Sequence, residues 1–166
     1  MAHALKPQPR HMANADGDTR RAGFEFEFAG LAMDDAVAAV INACGGTERR
    51  ENRFLRVIEG ADHGDWHVEL DARLLKTKAY EKHLSGLGID LDKLHMREPV
   101  EHLIESVSSE VVPCEVVSPP IPLDETGVVE DLRLALHRAK ARGTKASFFY
   151  AFGFHINVEP DRKSVV

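Results

Sequence analysis

The five residues Phe24-Glu25-Phe26-Glu27-Phe28 constrain the fold more than any other stretch. Successive side chains of a strand point to opposite faces, so three phenylalanines share one side and two glutamates the other. A helix would scatter the same residues around its circumference. The segment therefore predicts a strand with one covered face and one acidic face. The pattern recurs: Val68 and Leu70 alternate with Glu69 and Asp71, and Phe154, Ile156 and Val158 alternate with His155 and Asn157. Glu115 follows Cys114 in a β-rich segment stopped by Ser118-Pro119-Pro120, because proline cannot donate to a central ladder.

Around these strands the chain reads as one domain. Residues 1–20 are polar, contain Pro7 and Pro9, and lack apolar periodicity, so they read as a disordered tail before a domain at 21–166. Asp34 is placed to cap a helix with Val37, Val40 and Ile41 on one face, ended by Gly45 or Gly46. Residues 53–60 and 65–74 form a predicted hairpin around Ala61–Gly64. A helix is expected over Glu98–Ser109, a strand over Glu110–Val117 and a last strand over Ser147–Val158. Asp124 to Arg142 reads as a helix striped by Val128, Leu132, Leu136 and Ala139 and stopped by Gly143. The fold class is α+β: a mostly antiparallel sheet, helices on one face and an open, carboxylate-lined opposite face.

Composition excludes several classes. The chain has 166 residues, long enough to bury a core, and its 2 cysteines, Cys44 and Cys114, cannot supply a disulfide framework. No apolar run approaches the roughly 20 residues of a membrane span, and the N-terminus lacks a secretory signal. A cytoplasmic protein is expected. Net charge is −6. Lys6, Arg10, Arg20 and Arg21 outnumber Asp16 and Asp18 at the start, so the remainder is more acidic than the whole. With no basic patch interleaved by aromatics, nucleic acid is not an expected partner.

Carboxylates crowded on one surface repel one another unless a cation sits among them. Oxygen donors with one imidazole suit Mg2+ or Mn2+ better than a zinc cage. The competing reading is a half-exposed sheet with its charged face in water.

The segments Gly23-Phe-Glu-Phe-Glu, Asp65-Trp-His-Val-Glu-Leu-Asp-Ala-Arg, Glu115-Val-Val-Ser-Pro-Pro and Gly153-Phe-His-Ile-Asn resemble, in order, the amidoligase family. That family belongs to the carboxylate–amine ligases, with the fold of glutamine synthetase and glutamate–cysteine ligase. The resemblance runs from about residue 21 to 159. It implies ATP-dependent amide bond formation through an acyl phosphate, with two Mg2+ or Mn2+ ions and small-molecule or peptide carboxylate and amine substrates. By the same matching Glu25, Glu27, Glu115 and His155 are metal ligands, Asp71 is catalytic toward the amine, and Asn157 contacts substrate. The family pattern continues past Gly-x-His-Ile-Asn, so the resemblance covers its N-terminal part. A truncated non-catalytic remnant or binding module with the same sheet and a Mg2+-dependent hydrolase are the alternatives, and exposed strand edges would permit a homo-oligomer.

Several single residues carry rival readings. Cys114 beside Glu115, with His155 downstream, could suggest a thiol nucleophile, but alternation turns it away from Glu115 into the core. His63 and His67 lie across a hairpin, which denies them the shared helical face of a zinc pair. Trp66 reads as a packing anchor rather than a nucleotide platform. Gly45-Gly46 reads as a helix stop, not a phosphate loop. Glu48–Glu51 reads as a solvated turn whose Arg49 or Arg50 could serve a substrate.

Overall fold

The computed structural model describes residues 9–52, 54–70, 114–139 and 153–160. The elements in order are β1 (Arg21–Phe28), α1 (Met33–Cys44), β2 (Thr47–Arg50), β3 (Leu55–Glu59), β4 (Trp66–Leu70), β5 (Cys114–Val117), β6 (Ile121–Pro122), α2 (Gly127–Arg138) and β7 (Phe154–Val158). The expected helix Glu98–Ser109 lies outside the described residues. So do residues 71–74, 110–113 and 147–152 of the expected strands, while the helix expected to run to Arg142 and stop at Gly143 ends at Arg138 with Ala139 as its C-cap.

The fold is α+β, with one open, antiparallel, 7-stranded sheet whose paired order is β2-β3-β4-β5-β1-β6, β7 also pairing β1. Ala22 pairs with both Ile121 and Val158. A strand residue has one partner per edge, so β6 continues along the β5 edge of β1 and β7 takes the other edge. Glu25 faces Val117 and Ala22 faces Ile121, so the β5–β6 side carries one residue more than β1. This bulge coincides with Ser118-Pro119-Pro120.

Prolines offer no N–H to the ladder, and the Ser118 hydroxyl completes it. Ser118 Oγ accepts the Phe24 N–H at 2.8 Å and donates to the Pro119 carbonyl at 2.7 Å, while Ser118 N–H donates to the Phe24 carbonyl. Ser118→Ala strands the Phe24 amide at a buried position. We expect a loss of about 1–3 kcal/mol by denaturant titration; an unchanged midpoint would show that the hydroxyl contributes nothing there.

The apolar face holds the core. Ala22, Phe24, Phe26 and Phe28 of β1, Trp66 and Val68 of β4 and Cys114 and Val116 of β5 are all buried. Helix α1 adds Met33, Ala36, Val37, Ala39, Val40 and Cys44, and α2 adds Val129, Leu132 and Leu136 to the same cluster. Each fully buried large side chain contributes on the order of 1.5–3 kcal/mol. Helix α1 lies on the sheet and α2 packs against α1.

Three local expectations are corrected. Ala32, not Asp34, is the N-cap of α1, without a side-chain cap bond. Asp34 and Asp35 instead occupy the first turn, where negative charge suits the helix dipole. Helix α2 starts at Gly127 rather than Asp124, because the Leu123 N–H is still held by the Arg20 carbonyl at 2.9 Å beyond β6. Residues Thr47–Arg50 form an exposed strand instead of a turn, paired to β3 along its free edge. Behind that strand, Arg56 is 3% exposed, 2.9 Å from Glu48 through Nε but too misaligned for a hydrogen bond, and donates to the Asn52 carbonyl. Gly45 does end α1, with φ 73°. Gly46 follows at φ +89°, where a Cβ would lie 2.8 Å from Ile58 Cγ2 and 2.9 Å from the Glu59 carbonyl.

The segment before β1 reaches the far end of β7. Arg20 donates through Nε and Nη2 to the Glu159 carbonyl at 2.9 and 2.6 Å. Asn14 Nδ2 and the Arg21 N–H donate to the Glu159 carboxylate at 3.0 Å each. The Asn14 bond first, then the Arg21 amide and the two arginine charges, hold the Glu159 carboxyl below its usual range. Its contribution is therefore present above the unfolded carboxyl pKa and is lost as pH falls through the lowered folded value. The clasp fixes where β7 runs along β1.

Candidate functional site

Register decides which polar side chains meet. Glu27 of β1 faces Glu115 of β5, and Glu115 faces Glu69 of β4. Residues directly opposite share a face, so three carboxylates form one row across adjacent strands. The next row runs Arg49, Val57, His67, Val117, Glu25, His155 from β2 to β7. Strand β7 thus brings His155 against Glu25, 130 residues earlier in the chain.

Both oxygens of Glu25 are engaged. Oε1 accepts from Asn157 Nδ2 at 2.7 Å, and Oε2 lies 3.2 Å from His155 Nδ1. The contact is a hydrogen bond in the tautomer that carries its proton on Nδ1, and that tautomer leaves the Nε2 lone pair free. Gly153 explains the room around that nitrogen. A Cβ built on it would lie 2.9 Å from His155 Nε2 and 3.6 Å from Glu27 Oε2. The imidazole and the second glutamate of β1 therefore border one small space beside Gly153, where a Cβ would push the ring aside. The Glu27 N–H also donates to the Gly153 carbonyl at 2.9 Å.

Of the expected site residues, Glu25, His155 and Asn157 are joined by hydrogen bonds, and Glu27 and Glu115 are cross-strand neighbours. Asp71, one residue past the end of β4, lies outside the described residues. Sequence reading had put Glu69 on the acidic side of its strand but gave it no role; register adds it to the carboxylate row. Gly153 was legible only as a letter of the Gly-Phe-His-Ile-Asn segment. No described Lys or Arg pairs with Glu27 or Glu69.

The donor set suits a hard divalent cation. Among the described residues no three His, Cys, Asp or Glu side chains close into an ion-binding cluster. Mg2+ is compatible with such an open set, since it is commonly held by one or two carboxylates while water and substrate phosphates complete the shell.

The rival residues are placed elsewhere. Cys114 is fully buried on the apolar face, opposite Phe28 and Leu70. Burial first, then the Glu115 and Glu69 charges, push its thiol up to about 12. Cys44 is raised to about 12 too, mainly by burial, so both thiols stay protonated at neutral pH. His63 sits in the β3–β4 loop at φ 71°, with Nδ1 3.5 Å from Glu125, whereas His67 lies within β4 facing Val57 and Val117. Trp66 is 0% exposed and donates Nε1–H to the Asp62 carbonyl at 3.2 Å, as a packing anchor does. Arg49 is engaged by Glu59 and Glu51, whose hydrogen bonds raise its pKa further. No helix of the described residues is long and apolar enough to cross a membrane.

Comparison with curated proteins and with solved structures returned no match. The family model for putative amidoligase enzymes matches residues 18–166, which include every strand and helix named above. The chain belongs to the amidoligase family.

Proposed function

We propose that this chain carries out ATP-dependent ligation of a carboxylate to an amine. Family membership supports a ligase in general. The observation that carries the finer reading is the row Glu27–Glu115–Glu69 beside the Glu25–His155 pair. The row sets three oxygen-donor side chains side by side, the ligand type that hard divalent cations take.

Glu25, Glu27, Glu115 and His155 would hold Mg2+ or Mn2+. Such ions neutralise the charge that develops on phosphate oxygens during phosphoryl transfer. A substrate carboxylate oxygen takes the γ-phosphoryl group, releasing ADP and leaving an acyl phosphate. The amine nitrogen then attacks the acyl carbon, the C–O bond to phosphate breaks, and inorganic phosphate departs. Asp71 is the proposed acceptor of the amine proton. The substrates are small-molecule or peptide carboxylates and amines, their identity set by loops and pocket shape rather than by the sheet.

The test is ADP release from the full chain against panels of acids and amines with Mg2+. Release that requires acid, amine and divalent cation together supports the ligase. Cation-dependent turnover without any amine favours the hydrolase instead. No release above background with any pair would overturn catalysis by this chain.

A further inference from the structure

We infer that Asn157 is a positioning residue for Glu25 rather than a contact for substrate. The inference rests on the reading of Glu25 and His155 as part of a divalent-cation site. Its starting point is the pairing of β7 with β1, where Asn157 faces Gly23 and His155 faces Glu25. The residue directly opposite Asn157 has no side chain, and a Cβ there would meet nothing within 4 Å. The amide can therefore lean along the strand to the diagonal neighbour, within reach of a long side chain in an antiparallel pair. It does so, and Nδ2 reaches Glu25 Oε1 at 2.7 Å, the short range expected when the acceptor is charged.

The other oxygen of the same carboxylate faces His155 Nδ1. Two partners on two oxygens fix both the position and the plane of the group. A glutamate on an exposed sheet face otherwise samples many rotamers, and ordering it costs side-chain entropy. Asn157 thus supplies order to a flexible acid, and through that acid to the imidazole whose Nε2 borders Gly153 and Glu27. One of the two Nδ2 protons is committed to Glu25. Groups that orient metal-binding side chains typically contribute 10–100-fold to metal affinity.

The experiment titrates Mn2+ into the full chain and follows free Mn2+ by electron paramagnetic resonance. Asn157→Ala is expected to weaken binding about tenfold or more, with an unchanged melting temperature because the residue is exposed. Asn157→Gln, which keeps the donor on a longer stem, recovers part of the loss. At saturating Mn2+ the KM values for acid and amine should match wild type. Unchanged Mn2+ affinity with a raised KM would overturn the inference and return Asn157 to the substrate. If wild type takes up no Mn2+, the cation reading falls by itself, and the side-chain amide signal of Asn157 decides the rest. A downfield-shifted, slowly exchanging Nδ2 proton that moves to the free-amide position and exchanges faster in Glu25→Ala supports positioning; a signal indifferent to that change overturns it.

Discussion

Glu27→Gln should lower cation-dependent ADP release by about a hundredfold or more while leaving stability within about 0.5 kcal/mol of wild type. The two side chains are nearly isosteric, so packing around Gly153 and the β1 backbone is kept. What disappears is one charge from the row Glu27–Glu115–Glu69. Under the proposed function Glu27 would help hold a cation whose neutralisation of phosphoryl charge is worth several kcal/mol at the transition state, and each 1.36 kcal/mol is a factor of ten. Lost activity with retained stability marks a residue kept for chemistry rather than for the framework. A variant that keeps full activity, or one that loses stability, would place Glu27 in the framework and remove it from the site. ADP release and a thermal melt on one preparation decide between these.

The faces of β1, β4 and β5 were legible because alternation is a local property, whereas in β7 the same alternation leaves Phe154, Ile156 and Val158 exposed. Phe24, Phe26 and Phe28 are buried and Glu25 and Glu27 are not, as the period of two requires. Cys114 turns inward by the same rule. Strand neighbours are set by register and turn geometry, which no single segment records. Hence Glu69 joined the row only when β4 was seen paired with β5, and Asn157 met Glu25 only when β7 was seen on β1. Strand β2 escaped notice for a related reason. Thr47-Glu-Arg-Arg has no buried face, so nothing in its pattern separates a charged edge strand from a turn. The helix starts shifted because neighbours won over propensity: the Arg20 carbonyl holds Leu123 extended past Asp124. The resemblance supplied roles for residues that periodicity could only place on a side.

Trp66→Ala should cost about 3–5 kcal/mol, the largest stability loss expected of any single truncation in the sheet. Trp66 opens β4, faces Ile58 across the hairpin and has no exposed surface. Its indole also closes the loop, since Nε1–H donates to the Asp62 carbonyl and the Asp62 N–H donates to the Cys44 carbonyl at the end of α1. Truncation therefore opens a cavity and loosens the junction of hairpin and helix together. Trp66→Phe keeps most of the volume and loses the hydrogen bond, so it should cost much less. The fluorescence of the chain's single tryptophan supplies the second readout. A buried indole on the helix side emits at short wavelength, resists acrylamide and is not quenched by ATP, whereas a nucleotide platform would be accessible to both. Quenching by ATP at saturation would move Trp66 to the site and reverse the assignment of faces in β4. Since Glu69 lies on the opposite face of the same short strand, the two assignments stand or fall together: if Trp66 is core, Glu69 is on the carboxylate side.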